Sequence, residues 1–356
     1  MRDLESDPIE NRDVGVIFSR APVRINDLGG WTDTWFSGTG NVLSTAVSPG
    51  TTCRLSFTRP RPPVRKRFTL DVKNFNDRYS FDPDDPPPGR HPLLEAAVAS
   101  MDMPPGMAVE ASISSGMPPG CGTGTSASVV VALIGALDRL KPGEMDAGTL
   151  WRAAHRVETE MLGLESGVQD QISAAYGGTC FIDVYRYPEA HVSRVELDRG
   201  VAADLERRLV LVFLGEGHRS SEVHREVIEC LARGGGVNAL AGLREIPSMA
   251  REALEEGDLA RLGALMARNT ECQRSLDRRL VSPEADTVIA LARGLGAPGW
   301  KVNGAGGQGG SLTLLAGNGP GAREDLARGL RGLGGGIRDI PVKLDYEGLS
   351  VRVDES

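Results

Sequence analysis

The chain has 356 residues, of which 40% are hydrophobic and 25% are charged. This length exceeds what one hydrophobic core usually organises, so it predicts two domains. The composition predicts a globular protein and disfavours a disordered chain. The 40 basic and 48 acidic residues give a formal net charge of −8, and no Lys/Arg-rich face is obvious, which disfavours nucleic acid as the main ligand.

The five cysteines are an odd number, lie far apart and include no CxxC pair. This usage argues against a disulfide framework and against a zinc site. The starting sequence MRDLESDPIENRD is acidic and polar, unlike a signal peptide, and no stretch reaches about 18 apolar residues. We therefore expect a soluble, cytoplasmic protein without a membrane partner, and the sequence leaves open whether it is a monomer or a homodimer.

In chain order, the first part of the sequence predicts strands and helices around two glycine-rich loops. Apolar alternation indicates strands at 14–25, 41–47, 107–113 and 179–184. Helical periodicity indicates helices at 126–140, 148–162 and 169–176. The spacing of Ser166 and Gln169 is typical of a capping box at the start of the last helix.

The character of the sequence changes near Leu209, where a second lobe is predicted. It would contain a strand at 209–214, helices at 222–233, 247–255, 258–274 and 286–295, a strand at 311–316 and a helix near 322–330. A final strand pair is predicted around 336–353. These elements predict domains at residues 1–204 and 205–356.

The loop between strand 107–113 and helix 126–140 has the composition of a phosphate cradle. Glycines let backbone N–H groups approach oxyanions, the following helix start adds about half a positive charge, and two hydroxyls could reach a magnesium ion. A dinucleotide-binding turn and a tight turn without a ligand remain alternatives. The candidate nucleotide-binding residues are Pro118, Gly120, Gly122, Thr123, Gly124, Thr125 and Ser126.

An earlier loop follows the first strand and combines a cation, a flat apolar surface and a carboxylate acceptor. These groups suit a ring that carries several hydroxyls. Alternatively, the tryptophan is part of the core and the two charged residues form a surface pair. The candidate residues are Arg24, Gly29, Gly30, Trp31 and Asp33.

Two acids near the middle of the chain are candidates for catalysis and metal binding. Asp170 lies in the first turn of a predicted helix, where the helix dipole favours a carboxylate that accepts a proton. Glu158, on the preceding helix, could supply a metal ligand. A helix-capping aspartate and a solvated glutamate are the alternative.

Two further segments predict contacts with a ligand. Gly304, Gly306 and Gly307 belong to a glycine cluster that exceeds the needs of a hairpin, so we expect close backbone approach, with a bulged hairpin as the alternative. His218 and Arg219 precede two serines at a helix start, which could hold a phosphate already present on a substrate. Alternatively, one of those serines caps the helix and His218 and Arg219 are solvated.

These segments, in this order, resemble the GHMP kinases, which include galactokinase, homoserine, mevalonate and phosphomevalonate kinases. Residues 21–34 look like their N-terminal motif, 118–127 like their phosphate loop, and 301–310 like their C-terminal glycine motif. Within this superfamily, Gly-Gly-Trp-Thr-Asp-Thr at 29–34 looks most like L-fucokinases. The sequence at 158–163 and Gln-Asp-Gln at 169–171 look like D-glycero-D-manno-heptose 7-phosphate kinases.

The resemblance implies an α+β fold of two lobes, the first like ribosomal protein S5 domain 2 and the second related to ferredoxin. It also implies an ATP- and Mg²⁺-dependent transfer of the γ-phosphoryl group to a hydroxyl of a sugar or sugar phosphate, and the likeness to the fucokinases and heptose 7-phosphate kinases makes the anomeric (C1) hydroxyl the expected acceptor. Asp170 matches the catalytic aspartate and Arg24 the basic residue beside it. Ser126 and Glu158 match the magnesium partners, and Asp33 matches a sugar-hydroxyl acceptor.

Two departures from the family pattern affect the expected substrate. Gly30 and Trp31 stand where galactokinases have Glu-His, which puts galactose in doubt. The phosphate loop has Thr at two positions where Leu and Ser are commoner, but hydroxyls remain at both final positions. A sugar sensor without catalysis and an NAD-dependent oxidoreductase are the competing functions.

Overall fold

The computed structural model describes residues 13–141, 144–215 and 221–354, except for the side chains of Ser221 and Glu222. The first part of the chain forms β1 (Val14–Leu28), β2 (Gly40–Thr58), β3 (Phe68–Val72), β4 (Asp77–Phe81), α1 (Pro92–Ala99), β5 (Ala108–Ser115), α2 (Thr125–Asp138), α3 (Ala147–Arg156), α4 (Gln169–Tyr176), β6 (Thr179–Arg186) and β7 (Glu189–Arg194). The second part forms α5 (Arg199–Arg208), β8 (Leu209–Leu214), α6 (Ser221–Ala232), α7 (Val237–Glu255), α8 (Leu259–Leu276), α9 (Pro283–Gly294), β9 (Gly299–Val302), β10 (Ser311–Leu315), α10 (Ala322–Leu333), β11 (Ile337–Ile340), β12 (Lys343–Leu344) and β13 (Ser350–Asp354).

The first sheet has the strand order β13-β1-β2-β5-β3-β4, and β6 joins it by pairing with both β2 and β7. Its strands pair antiparallel except for β3 and β5. The apolar run of α2 is buried nearly throughout and packs against β1 and β2. This core places the start of α2 beside the end of β1, where the candidate loops lie.

The second sheet has the order β11-β8-β10-β9 and is antiparallel. All six residues of β8 are buried, which explains why that strand reads as a continuous apolar run. Two sheets with segregated helices confirm the predicted α+β class with two lobes. Within the described ranges, no helix combines the length and hydrophobicity needed to cross a membrane.

The predicted strand pair at the C-terminal end is wrong. β11 pairs with β8 in the second sheet, whereas β12 pairs with β2 and β13 with β1 in the first. Alternation along a segment indicates that it is extended but does not identify its partner. The division at residues 204 and 205 stays a prediction, and the sheet pairing places residues 343–354 with the first sheet.

A fully buried ion pair connects the end of β1 to β9. Nζ of Lys301 lies 3.3 Å from Oδ1 of Asp27, and both side chains are inaccessible to solvent. The Gly304 N–H also donates to the Asp27 carboxylate, at 3.1 Å from each oxygen. Burial lowers the pKa of Lys301, although Asp27 opposes that shift. The pair therefore holds the C-terminal glycine cluster against the first lobe.

Candidate active site

Arg24 and Asp170 form an ion pair at the centre of the site. Arg24 extends from β1, and its Nε lies 2.8 Å from Oδ1 of Asp170 in the first turn of α4. Arg24 is buried, which disfavours its charge, but Asp170 and Asp27 raise its pKa above the ordinary value. The Asp170 side chain is 24% exposed and is therefore open to a ligand. The alternative of a surface pair between Arg24 and Asp33 is wrong because both are buried and Arg24 pairs with Asp170.

The predicted phosphate loop adopts a conformation that favours glycine. Gly120, Gly122 and Gly124 have φ angles of 70°, 72° and 69°, which side chains with a Cβ rarely adopt. Gly124 is the N-cap of α2 and supplies no side-chain acceptor for the first-turn amides. Arg24 donates through Nη1 to the Gly122 carbonyl, which ties the loop to the ion pair.

Asp170 lies directly against the N-terminal end of α2. A Cβ atom added at Gly124 would lie 3.0 Å from Cγ of Asp170. The glycine cluster reaches the same place, because a Cβ at Gly304 would lie 3.0 Å from the Gly122 carbonyl oxygen. The expected close backbone approach of this cluster is therefore confirmed.

Seven of the predicted residues line one cavity of about 480 Å³ between the lobes. They are Arg24, Trp31, Asp33, Ser126, Glu158, Asp170 and Gly304. A second cavity, of about 370 Å³, lies beside the phosphate loop and is mainly apolar. It is lined by loop residues and by β3, α1 and β5, and Ser126 borders both cavities. The sequence reasoning did not predict β3 or α1, so it missed this second cavity.

Asp33 caps the helix that carries Asp170. The Gln169 N–H donates to Oδ2 of Asp33 at 3.0 Å, and the Asp33 side chain is buried. A Cβ at Gly167 would lie 2.1 Å from that oxygen, so glycine is needed there. The predicted capping box is wrong: the Ser166 hydroxyl donates to the Gly167 carbonyl, and the N-cap of α4 is Val168, which supplies no side-chain cap.

Burial raises the pKa of Asp33 to about 6. The folded protein therefore binds this proton more tightly than the unfolded chain, whose aspartate has a pKa near 3.8. The resulting stabilisation is fully present below that value and is lost as the pH rises through about 6. Asp33→Asn removes this pH dependence while its side-chain oxygen can still accept the Gln169 N–H.

We therefore expect the unfolding free energy of Asp33→Asn, relative to the unmodified protein, to rise by about 2 kcal/mol between pH 4 and pH 7. Urea unfolding across this range measures the difference. Asp146→Asn is the control. Asp146 is exposed, and its hydrogen bond from the Thr149 N–H lowers its pKa. The unfolding free energy of this variant, relative to the unmodified protein, should therefore fall rather than rise with increasing pH. A difference for Asp33→Asn that does not change with pH would contradict the prediction.

Glu158 lies in a π-helical turn (Val157–Met161) that continues α3. It is buried, its Oε1 has no hydrogen-bond partner, and burial together with Asp170 raises its pKa to about 7. The described residues contain no group of three His, Cys, Asp or Glu side chains that could hold a metal ion. Mg²⁺ commonly takes one or two protein ligands and completes its shell with phosphate and water. Glu158 and the Ser126 hydroxyl, which line one cavity, fit such an ion.

The second lobe contributes a wall that the sequence reasoning did not predict. Trp31 has a φ of 80° and is buried, and its ring centroid lies 4.7 Å from that of His224 on α6. Trp31 thus both joins a hydrophobic cluster with the second lobe and lines the cavity. His224 and Glu165 also line it, although no motif marked either residue. The predicted anion site at His218 and Arg219 lies outside the described residues.

Comparisons with known proteins agree with this geometry. Residues 93–178 match the family model for the GHMP kinases N terminal domain, and residues 250–331 match that for GHMP kinases C terminal. A D-glycero-alpha-D-manno-heptose 7-phosphate kinase from Campylobacter jejuni is 26% identical over 229 residues, which cover 64% of this chain and 66% of that protein, just under two thirds.

A mevalonate kinase from Archaeoglobus fulgidus is 30% identical over 234 residues, which cover 65% of this chain and 74% of that relative. Among solved structures, a D-glycero-D-manno-heptose 1-phosphate kinase from Bacteroides thetaiotaomicron superposes with a TM-score of 0.73 at 20% identity. That superposition covers 96% of this chain and all of the other. The two share one fold.

Proposed function

Because this chain belongs to the GHMP kinase family, we propose that it transfers the γ-phosphoryl group of ATP to a hydroxyl of a sugar or sugar phosphate. The observation that carries this proposal is the position of the Asp170 carboxylate against Gly124, at the N-terminal end of α2. A phosphoryl acceptor and the terminal phosphate of a nucleotide must meet at one place. Here an acid that can accept a proton lies beside amides that can bind phosphate.

The two cavities suggest how the substrates lie. The apolar cavity beside the phosphate loop suits the adenine base, because flat aromatic groups bind preferentially between apolar side chains. The phosphates would then follow the loop to the start of α2, where the helix dipole favours negative charge. Ser126 borders both cavities, so a nucleotide in this position directs its γ-phosphate into the cavity that holds Asp170.

In the proposed reaction, the acceptor oxygen forms a bond to the γ-phosphorus while the bond from that phosphorus to the β–γ bridging oxygen breaks. ADP leaves, and the hydroxyl proton passes to the Asp170 carboxylate. Arg24 fixes the orientation of that carboxylate through Nε and contacts the loop through Nη1. Because phosphoryl transfer needs little covalent help, positioning and electrostatic stabilisation supply most of the acceleration.

We propose that Glu158 and Ser126 hold Mg²⁺, which when bound neutralises charge on the phosphates. Glu158→Gln should then raise the Mg²⁺ concentration needed for half-maximal rate by about tenfold, because a charged ligand is replaced by a neutral one. Rates measured against Mg²⁺ at fixed ATP provide the test. Glu160→Gln is the control, since Glu160 is in the same turn but its side chain is exposed and pairs with Arg156. Identical Mg²⁺ dependence in both variants would contradict this role.

We further propose that the acceptor is the anomeric hydroxyl of a fucose-like or heptose-like sugar, as the motifs around Trp31 and Asp170 suggest. The test is a screen for ADP release with free sugars, sugar phosphates and mevalonate, followed by ³¹P NMR to locate the new phosphate. A product phosphorylated at C1 supports the proposal. Turnover of mevalonate alone would overturn the sugar assignment, and sugar binding without ADP release would favour the sensor.

The oxidoreductase alternative has little structural support. β5 leads through the glycine loop into α2, and the next strand along the chain is β6. β5 pairs with β2 and β3, whereas β6 pairs with β7 and with a different part of β2, so the two strands are not neighbours in the sheet. A dinucleotide-binding unit needs two adjacent parallel strands joined by the helix. We therefore expect no binding of NAD, which calorimetry with NAD alone would verify.

A further inference from the structure

His224 and Glu165 come from different lobes and lie next to each other in the wall of the 480 Å³ cavity. His224 lies on α6 of the second lobe, and Glu165 lies in the segment before α4 of the first. Both line the cavity that contains Arg24 and Asp170. Neither belongs to the motifs that indicate phosphoryl transfer, so they are available for recognition of the rest of the substrate.

The separation of these two side chains suits one hydroxyl group. Nδ1 of His224 lies 3.8 Å from Oε2 of Glu165, which is too far for a direct hydrogen bond. A hydroxyl oxygen to one side of the pair, about 2.8 Å from each atom, can accept from the N–H of His224, in the tautomer protonated at Nδ1, and donate its own hydrogen to Glu165. A fully ionised phosphate can accept but cannot donate, so it satisfies only one of the two partners.

The charge beside His224 also disfavours a phosphate on the substrate. The acid next to His224 is Glu165, and the cation in the described lining of the cavity is Arg24. That cation is already paired with Asp170. Burial lowers the pKa of His224, although Glu165 opposes the shift, so the imidazole is predominantly neutral at neutral pH. A phosphate beside Glu165 would meet a like charge without a described cation to offset it.

We infer that His224 and Glu165 jointly bind a hydroxyl of the substrate, and that this kinase therefore prefers a free sugar to one that already carries a phosphate. This inference rests on the proposed kinase function and selects one of its two substrate classes. His224 acts here as a specificity-determining residue, and its tilted contact with the Trp31 ring, at 39° between the ring planes, restricts the orientation of the imidazole.

The test compares D-glycero-D-manno-heptose with its 7-phosphate, which differ only in the phosphate. We expect kcat/KM for the free sugar to exceed that for the phosphate by at least tenfold, and Glu165→Gln to narrow this ratio. His224→Phe keeps a ring against Trp31 but removes the donor, so KM for the free sugar should rise about tenfold with little change in kcat. His224→Asn returns an amide donor near the Nδ1 position and should recover most of the loss.

Two results would overturn the inference. One is a preference for the 7-phosphate, particularly a preference that Arg219→Ala abolishes. The other is an equal effect of His224→Phe and His224→Asn, which would indicate a structural role of the ring. Calorimetric titration of each sugar into the same variants gives a reading that does not depend on turnover. Failure of every sugar to release ADP would refute the kinase proposal, whereas the ratio of the two dissociation constants would still decide the role of His224.

Discussion

Replacing Asp170 with asparagine is expected to lower kcat by about a hundredfold or more, because the amide cannot accept the proton of the attacking hydroxyl. The fold should survive, since an asparagine oxygen can still accept the Arg24 Nε–H that now lies 2.8 Å from Oδ1. Steady-state kinetics with the sugar identified by the screen measure the loss. Calorimetric ATP affinity should change little because the nucleotide contacts are proposed to lie along the loop.

Asp325→Asn is the matched control for this variant. Asp325 also lies in the first turn of a helix, α10 of the second lobe, but it is exposed and does not line the cavity. It therefore shares the favourable position on a helix dipole without the proposed chemistry. Near-normal kcat in Asp170→Asn, or an equal loss in both variants, would show that the carboxylate is not the proton acceptor.

Sequence patterns predicted helices and strands with correct boundaries where nearby residues, such as glycines or the end of an apolar run, terminate the element. The structure confirms α4 and β8 with the predicted boundaries, because a glycine pair stops α4 and a short apolar run defines β8. The prediction ended β2 at residue 47, but the strand continues to Thr58. Ser48-Pro49-Gly50 suggests a turn, yet the long pairing with β1 carries the strand past it, with a register shift near Ala21.

The sequence also identified seven of the residues that line the site cavity, but not their mutual arrangement. Asp33 was expected to accept a sugar hydroxyl, and the structure shows its carboxylate bound to the Gln169 N–H, 136 residues away. A capping rule that uses only neighbouring residues selected Ser166 instead. Asp33 lies in the loop after β1 and Gln169 begins α4, so this contact depends on how those two elements pack against each other. The spacing of residues within each segment does not predict it.

The irregular turn after α3 illustrates the same limit. The sequence predicted one helix over 148–162, whereas regular α-helix ends at Arg156 and a π-helical turn follows. A π-helical turn changes the direction of its side chains relative to a continuous helix, and such turns are frequent at functional sites. Here the turn holds Glu158 in a buried position at the cavity.

A second large effect is expected from Gly124→Ala, which should lower kcat/KM by about a hundredfold. The added methyl would lie 3.0 Å from Cγ of Asp170, closer than carbon atoms normally approach, so the carboxylate or the tip of α2 must shift. A displacement of about 1 Å at reacting groups can cost a hundredfold in rate. Steady-state kinetics and a crystal structure of the variant would measure the loss and the shift together.

Gly106→Ala separates this steric effect from backbone strain. Gly106 has a φ of 71°, nearly the same as the 69° of Gly124, but no atom lies within 4 Å of a Cβ added there. Both variants should lose about 1 kcal/mol of unfolding free energy, because alanine disfavours the left-handed conformation. Only Gly124→Ala should lose activity, because only there does the methyl group lie between the phosphate loop and Asp170. Full activity in Gly124→Ala would mean that the contact between the helix tip and the aspartate does not position the reacting groups.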